Sequence, residues 1–143
     1  MDILGVMRIG ASALKAQTIR LNTISSNIAN IETTRTPEGG PYKKKSAVFI
    51  TAKSGFESYM DQGAPQRGEG VRVQHIRSDN GPGKMVYDPS HPDAREDGYV
   101  EKPNISLAEE MTDMIRARGS YEANVTAIKA AQRMAMKALE IGR

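Results

Sequence analysis

All seven prolines of this 143-residue chain lie between Pro37 and Pro103, so residues 1–36 and 104–143 contain none. Proline fixes φ and removes a backbone donor, which leaves the two ends open to long helices and closes the middle to them. Nine of the thirteen glycines share that middle, where tight turns need them. The chain therefore divides into residues 1–34, 35–104 and 105–143.

In the first region Leu4, Met7, Ala11, Leu14, Thr18, Leu21, Ser25 and Ile28 recur at alternating spacings of three and four. This seven-residue repeat predicts an amphipathic helix from Ile3 to Ile31, roughly 43 Å long at 1.5 Å per residue. Asn30, Thr33, Thr34 and Pro37 supply its stop signals. The last region repeats the pattern with Leu107, Met111, Met114, Arg118, Tyr121, Val125, Ile128, Gln132, Ala135 and Leu139. Ser106-Leu107-Ala108-Glu109 before it has the form of a capping box, in which the Ser106 hydroxyl accepts from the Glu109 amide and the Glu109 carboxylate returns to Ser106. Gly119 interrupts this helix at a cost of about 1 kcal/mol against Ala and allows a bend.

Between the ends, Lys45–Thr51, Val71–Ile76 and Lys84–Tyr87 read as short strands separated by Gly-Pro, Asp-Pro and Asp-Gly punctuation. Residues 52–70 are polar and glycine-rich and read as a loop. The expected fold is α+β: the terminal helices pair as a coiled-coil hairpin, with a small antiparallel β unit inserted between them.

One hairpin does not use all the apolar surface. Ile3, Ile9, Ala13, Ile19, Ile24 and Ile31 lie off the first stripe; Ala117, Ala127, Ala130, Met134, Ala138 and Ile141 lie off the second. Helices apolar on several faces are expected to be buried by further copies or homologues, and the free subunit to have poorly ordered ends. Digestion is then expected to leave roughly residues 36–103.

Other function classes find little support. The net charge of +3 balances 20 Lys and Arg against 17 Asp and Glu, interspersed along the chain, which argues against nucleic-acid or membrane binding. Lys43, Lys44 and Lys45 read as a charged strand edge that discourages unwanted pairing. With no cysteine there is no disulfide or thiolate metal site. Asp88, His91, Asp93 and Asp97 could serve a hard metal or acid–base chemistry, but their spacing matches no metal loop, and Pro89 and Pro92 explain them as turns. His75 alternates with Val71 and Val73 as a strand residue would. No cleavable leader is expected from the first residues, because Asp2 stands where positive charge belongs. Neither a cofactor nor catalysis is expected.

Two segments resemble a known family. Ala11-Ser12-Ala13-Leu14 followed by Ser25-Ser26-Asn27-Ile28-Ala29-Asn30-Ile31-Glu32-Thr33-Thr34 is similar to the N-terminal signature of flagellar rod, hook and hook-associated proteins. Glu109-Glu110-Met111, Met114-Ile115 and Ser120-Tyr121-Glu122-Ala123-Asn124 are similar to that family's C-terminal helix. Arg35–Tyr42, Asp88–Ala94, Gly98-Tyr99-Val100 and Pro103-Asn104 resemble its proximal rod members in particular.

The resemblance implies a structural subunit of the basal-body rod in the periplasm. It would be exported by the flagellar type III apparatus without signal cleavage and would carry torque from motor to hook. The implied partners are copies of itself in a helical rod, the other proximal rod proteins, the rod–ring adaptor and the distal rod protein, with no nucleic acid and no small-molecule substrate. The expected assembly surface comprises Leu4, Met7, Ala11, Leu14, Leu21, Asn27, Ile28 and Asn30 on the first helix. On the second it comprises Met111, Met114, Tyr121, Asn124, Val125, Ile128 and Leu139. For Asn27 and Asn30, helix-end chemistry offers C-capping as the other reading. Gly119 stands where the family often has Arg, and Glu32 where a small polar residue is common. A free-standing coiled-coil adaptor, another axial protein of the same family and a small hydrolase using the acidic turn are the competing functions.

Overall fold

A computed structural model describes residues 3–52 and 70–141. Its elements in chain order are α1 (Ile3–Ala29), β1 (Lys45–Thr51), β2 (Val71–Ser78), β3 (Lys84–Tyr87), β4 (Tyr99–Lys102) and α2 (Leu107–Ile141). The expected loop over 52–70 lies almost wholly outside the described residues.

The expected α+β hairpin forms. Asn27, late in α1, bonds Glu110, early in α2, whereas Gly10 near the start of α1 lies against Ile128 far along α2. The two helices are therefore antiparallel. A Cβ at Gly10 would come within 2.6 Å of Ile128 Cγ1, so the absent side chain sets how closely the helices approach. Continued along this register, Ile3 falls opposite about Ala135, and α2 runs on for about 9 Å. Among the described residues no helix is long and apolar enough to cross a membrane.

α1 ends at Ala29, two residues before the expected stop, because Asn30 closes its last turn. The Asn30 side-chain amide donates to the Ser26 carbonyl at 2.8 Å, its Oδ1 accepts from the Thr33 hydroxyl, and Ile31 N bonds back only three residues, to Ile28. α2 starts where expected, with Ser106 at its head, but the Glu109 half of the capping box does not form. The Ser106 carbonyl accepts from the Glu110 amide at 3.0 Å, while the Glu109 carboxylate lies 3.9 Å from Lys44 Nζ instead of returning to Ser106.

The helix runs through Gly119 without a break, and beyond the helix's own adjacent backbone no described atom lies within 4 Å of where a Cβ would stand. Gly119→Ala is therefore expected to raise stability by about 1 kcal/mol, read as a higher denaturation midpoint at unchanged slope.

The β unit is two separate antiparallel ribbons, β1–β2 and β3–β4. β1 and β3 have the expected bounds and β2 continues two residues further, to Ser78. β4 was not expected: only four residues long, it ends in Glu101 and Lys102 and is bounded by Gly98 and Pro103. It forms because Val86 pairs with Val100 and Tyr87 with Tyr99, whose rings meet edge to face at 5.2 Å. In the first ribbon a bulge at Val48/Phe49 shifts the register, so that Ile76, not His75, shares a face with Val71 and Val73. Ser12 fastens α1 to this ribbon: its hydroxyl donates to Ile9 O and accepts from Val71 N at 3.1 Å. Gly70, at φ 110°, packs against that hydroxyl.

The buried side chains are few: Ala16, Thr23, Ile24 and Asn27 from α1; Glu110, Ala117 and Ala131 from α2; and Val100, Pro103 and Ile105 beside them. Most gather at one end of the hairpin, where the ribbons join it.

Candidate assembly interface

The joint at that end is polar. Asn27 is 1% exposed, and its side-chain amide pairs with the backbone of Lys45 as a neighbouring strand would. Nδ2 donates to Lys45 O at 2.8 Å, and Oδ1 accepts from Lys45 N at 2.9 Å. The first residue of β1 is thereby pinned to the last turn of α1. Nδ2 also donates to Glu110 Oε2 at 2.9 Å, so one amide group joins α1, β1 and α2. Tyr42 closes the cluster, with its hydroxyl 3.3 Å from Asn27 Oδ1 and 3.2 Å from Ser26 Oγ.

Glu110 is likewise 1% exposed and its charge is met by Lys44, whose Nζ lies 2.7 Å from Oε1. The three adjacent lysines thus do different work, and the reading of Lys43–Lys45 as a uniform charged edge is corrected. Lys44 enters the joint, Lys45 lies 5.4 Å from the centroid of the Tyr42 ring, and Lys43 reaches Asn80.

The bond to Glu110 raises the Lys44 pKa above its ordinary 10.5; burial opposes the shift, and the charges of Glu110, Glu109 and Asp113 add to it. A lysine whose pKa is higher in the folded than in the unfolded state stabilises the fold below its unfolded value, and that stability is lost as pH rises through the folded one. The melting temperature is therefore expected to fall more steeply above pH 10.5 than in Lys44→Met, which lacks this titration.

The hairpin seam differs from the predicted stripes at alternate positions in both helices. Met7, Leu14, Leu21 and Ile28 are half-buried as expected, whereas Leu4, Ala11, Thr18 and Ser25 are exposed. The residues one step earlier, Ile3, Gly10, Gln17 and Ile24, take their places. On α2, Met114, Tyr121, Ile128 and Ala135 are half-buried, while Met111 and Arg118 give way to Glu110 and Ala117. Asn124 and Ala131 continue that inner line, with Val125 half-buried beside it. Ile24 and Ala117, expected to lie off the seam and to be covered by neighbouring subunits, are buried in the seam itself. Close packing selected small and polar residues that a count of apolar residues passes over.

Of the expected assembly residues, Asn27 is thus internal to the subunit and Asn30 caps α1. Leu4 (77% exposed), Ala11, Met111 and Leu139 (76% exposed) face outward. Other exposed apolar residues extend this surface: Ile9 on α1, and Ile115, Met134, Met136 and Ile141 on α2.

The acidic turn is occupied by its own bonds. Asp88 Oδ1 accepts from the Ser90 hydroxyl and amide, which hold its carboxyl below the usual range. His91 Nδ1 accepts from the Asp93 amide at 3.1 Å, and Asp93 Oδ2 accepts from the Thr34 hydroxyl at 2.7 Å. Glu32 meets Lys102 in an ion pair that also ties the end of α1 to the second ribbon.

Residues 7–35 match the family described as "Flagella basal body rod protein", and residues 96–141 match the one described as "Flagellar basal body rod FlgEFG protein C-terminal". The chain is 42% identical to the flagellar basal-body rod protein FlgC of Bacillus subtilis (strain 168), over 96% of each chain. It is 41% identical to that of Borreliella burgdorferi, over 99% of this chain and 98% of the relative. With the protein of the same name in Salmonella typhimurium (strain LT2) it shares 35% identity over the whole of both. Two antiparallel terminal helices closed by a polar joint, together with full-length similarity on this scale, place the chain in the FlgC family of flagellar basal-body rod proteins.

Proposed function

We propose that this protein is a non-enzymatic structural subunit of the flagellar basal-body rod, built in through the outer faces of its paired helices. The observation that carries the reading is the set of apolar side chains left open on more than one face after the hairpin has closed, Leu4 on α1 and Met134, Met136, Leu139 and Ile141 on α2. Exposed apolar surface of this extent on long helices marks a contact with other proteins. Further copies and the other rod proteins are the natural neighbours, with the rod–ring adaptor, the distal rod protein and the export apparatus as further partners. A stiff helical pair suits a shaft that carries torque. The acidic turn favours this reading over a hydrolase, because Asp88, His91 and Asp93 already serve the turn and Thr34.

Replacing Leu4 and Leu139 by Asp tests the proposal, since both are exposed and a surface change shifts stability by about 0.5 kcal/mol or less. The double variant is expected to fold as wild type yet fail to enter rods, leaving cells non-motile. Normal rods and swimming with the variant chain incorporated would overturn the helix-face mechanism.

A further inference from the structure

The two ends of the hairpin are built differently. Towards the ribbons, α1 from Ala16 and α2 as far as Ala117 hold nearly all the buried helical side chains, together with the bonds among Asn27, Lys45 and Glu110 and the Lys44 ion pair. Arg20 lies 3.8 Å from Asp113 across the same stretch. Towards the tip, beyond Ser12, Ala131 is the one buried helical side chain among the described residues, while Leu4, Met134, Met136, Leu139 and Ile141 are exposed. Fixing a backbone residue costs about 1–2 kcal/mol, so the poorly covered tip is held weakly and the base firmly.

We infer that the Asn27–Glu110–Lys44 cluster is a latch that keeps the base of the hairpin folded in the isolated subunit, so that the helices open from the tip alone. The unit that persists before assembly then runs from about Ser12, which is bonded to Val71, to about Val125. It reaches well into both helices and past the 36–103 core that proline placement suggests. Its logic is chemical. Opening the base would separate the buried Glu110 from both Asn27 and Lys44, and detaching α1 from β1 would also free both backbone polar groups of Lys45, whereas opening the tip separates apolar contacts alone. The latch also fixes the angle and register from which the tip helices grow when neighbours cover them. The inference concerns the free chain and holds whichever proteins those neighbours are.

Hydrogen exchange on the full chain, dilute and monomeric at neutral pH, tests it. Amides of residues 20–29 and 111–119 are expected to exchange about a hundredfold or more slowly than those of 5–8 and 132–140. Limited digestion is expected to leave a fragment that retains Asn27 and Glu110. Equal protection along both helices, or a fragment confined to 36–103, would overturn the inference. Glu110→Gln keeps an acceptor for Asn27 but removes the charge facing Lys44. It is expected to speed exchange in 20–29 and 111–119 by about tenfold or more while 84–87 and 99–102 stay as they were. Unchanged exchange in the base would show that the cluster is no latch. Asn27→Ala provides the second arm if Glu110→Gln does not fold: it must shorten the retained fragment at both ends, and a fragment of wild-type length would again overturn the inference.

Discussion

Lys44→Met is expected to cost about 3–5 kcal/mol, a large share of the 5–15 kcal/mol that holds a typical domain together. The loss does not measure the attraction between Lys44 and Glu110. It arises because the Glu110 carboxylate, 1% exposed, keeps its buried position and retains only Asn27 Nδ2 as a donor. Removing the acid instead is milder, because Lys44 is on the water side of the pair, with 28% of its side chain exposed, and can turn into solvent. The double change Lys44→Met, Glu110→Leu should therefore be more stable than Lys44→Met alone, since it leaves no stranded charge. Urea midpoints of the wild type, both single variants and the double variant form the cycle that checks this. A Lys44→Met variant within about 1 kcal/mol of wild type would mean that water reaches Glu110.

The same cluster shows where a linear reading of the chain stops. Both helices, the starts of β1, β2 and β3, and the hairpin topology follow from the proline-free ends and from periodicity, because each is set by local chemistry and by a stripe that must be buried. The seam was legible at only half its positions. Met7, Leu14, Leu21 and Ile28 announce themselves by hydrophobicity, but Gly10 and Ala117 matter by being small, and Glu110 by being paired with a lysine 66 residues away in sequence. No property of Glu110 in its own window distinguishes it from the exposed Glu109; only the fold brings Lys44 and Asn27 to it. Strand β4 was hidden for a similar reason, since its pairing with β3, not its own composition, makes it a strand. The family signature marks Asn27 without giving its role, which is to satisfy the backbone of Lys45 inside the subunit.

Asn27→Asp should be more damaging than Asn27→Ala, although it changes one NH2 group to an oxygen and leaves the shape intact. Nδ2 of Asn27 faces two acceptors, Lys45 O at 2.8 Å and Glu110 Oε2 at 2.9 Å. An oxygen at that point loses both bonds and sets lone pairs against each acceptor; when ionised, it also places a second negative charge beside a buried carboxylate. Alanine loses the same bonds, leaves Lys45 N unpaired and opens a small cavity, but adds no repulsion. We expect a loss of about 2–3 kcal/mol for Asn27→Ala and about 4–5 kcal/mol for Asn27→Asp at neutral pH. The two variants should also respond differently to acid. Repulsion raises the pKa of the introduced carboxyl in the folded state, so protonation favours folding, and the deficit of Asn27→Asp relative to Asn27→Ala should shrink as pH falls towards the ordinary carboxylate range. Denaturation midpoints of the pair at neutral and acidic pH measure this directly. A constant difference between them would show that the amide at position 27 acts through its shape alone, and that its hydrogen-bond polarity is not what joins the two helices to β1.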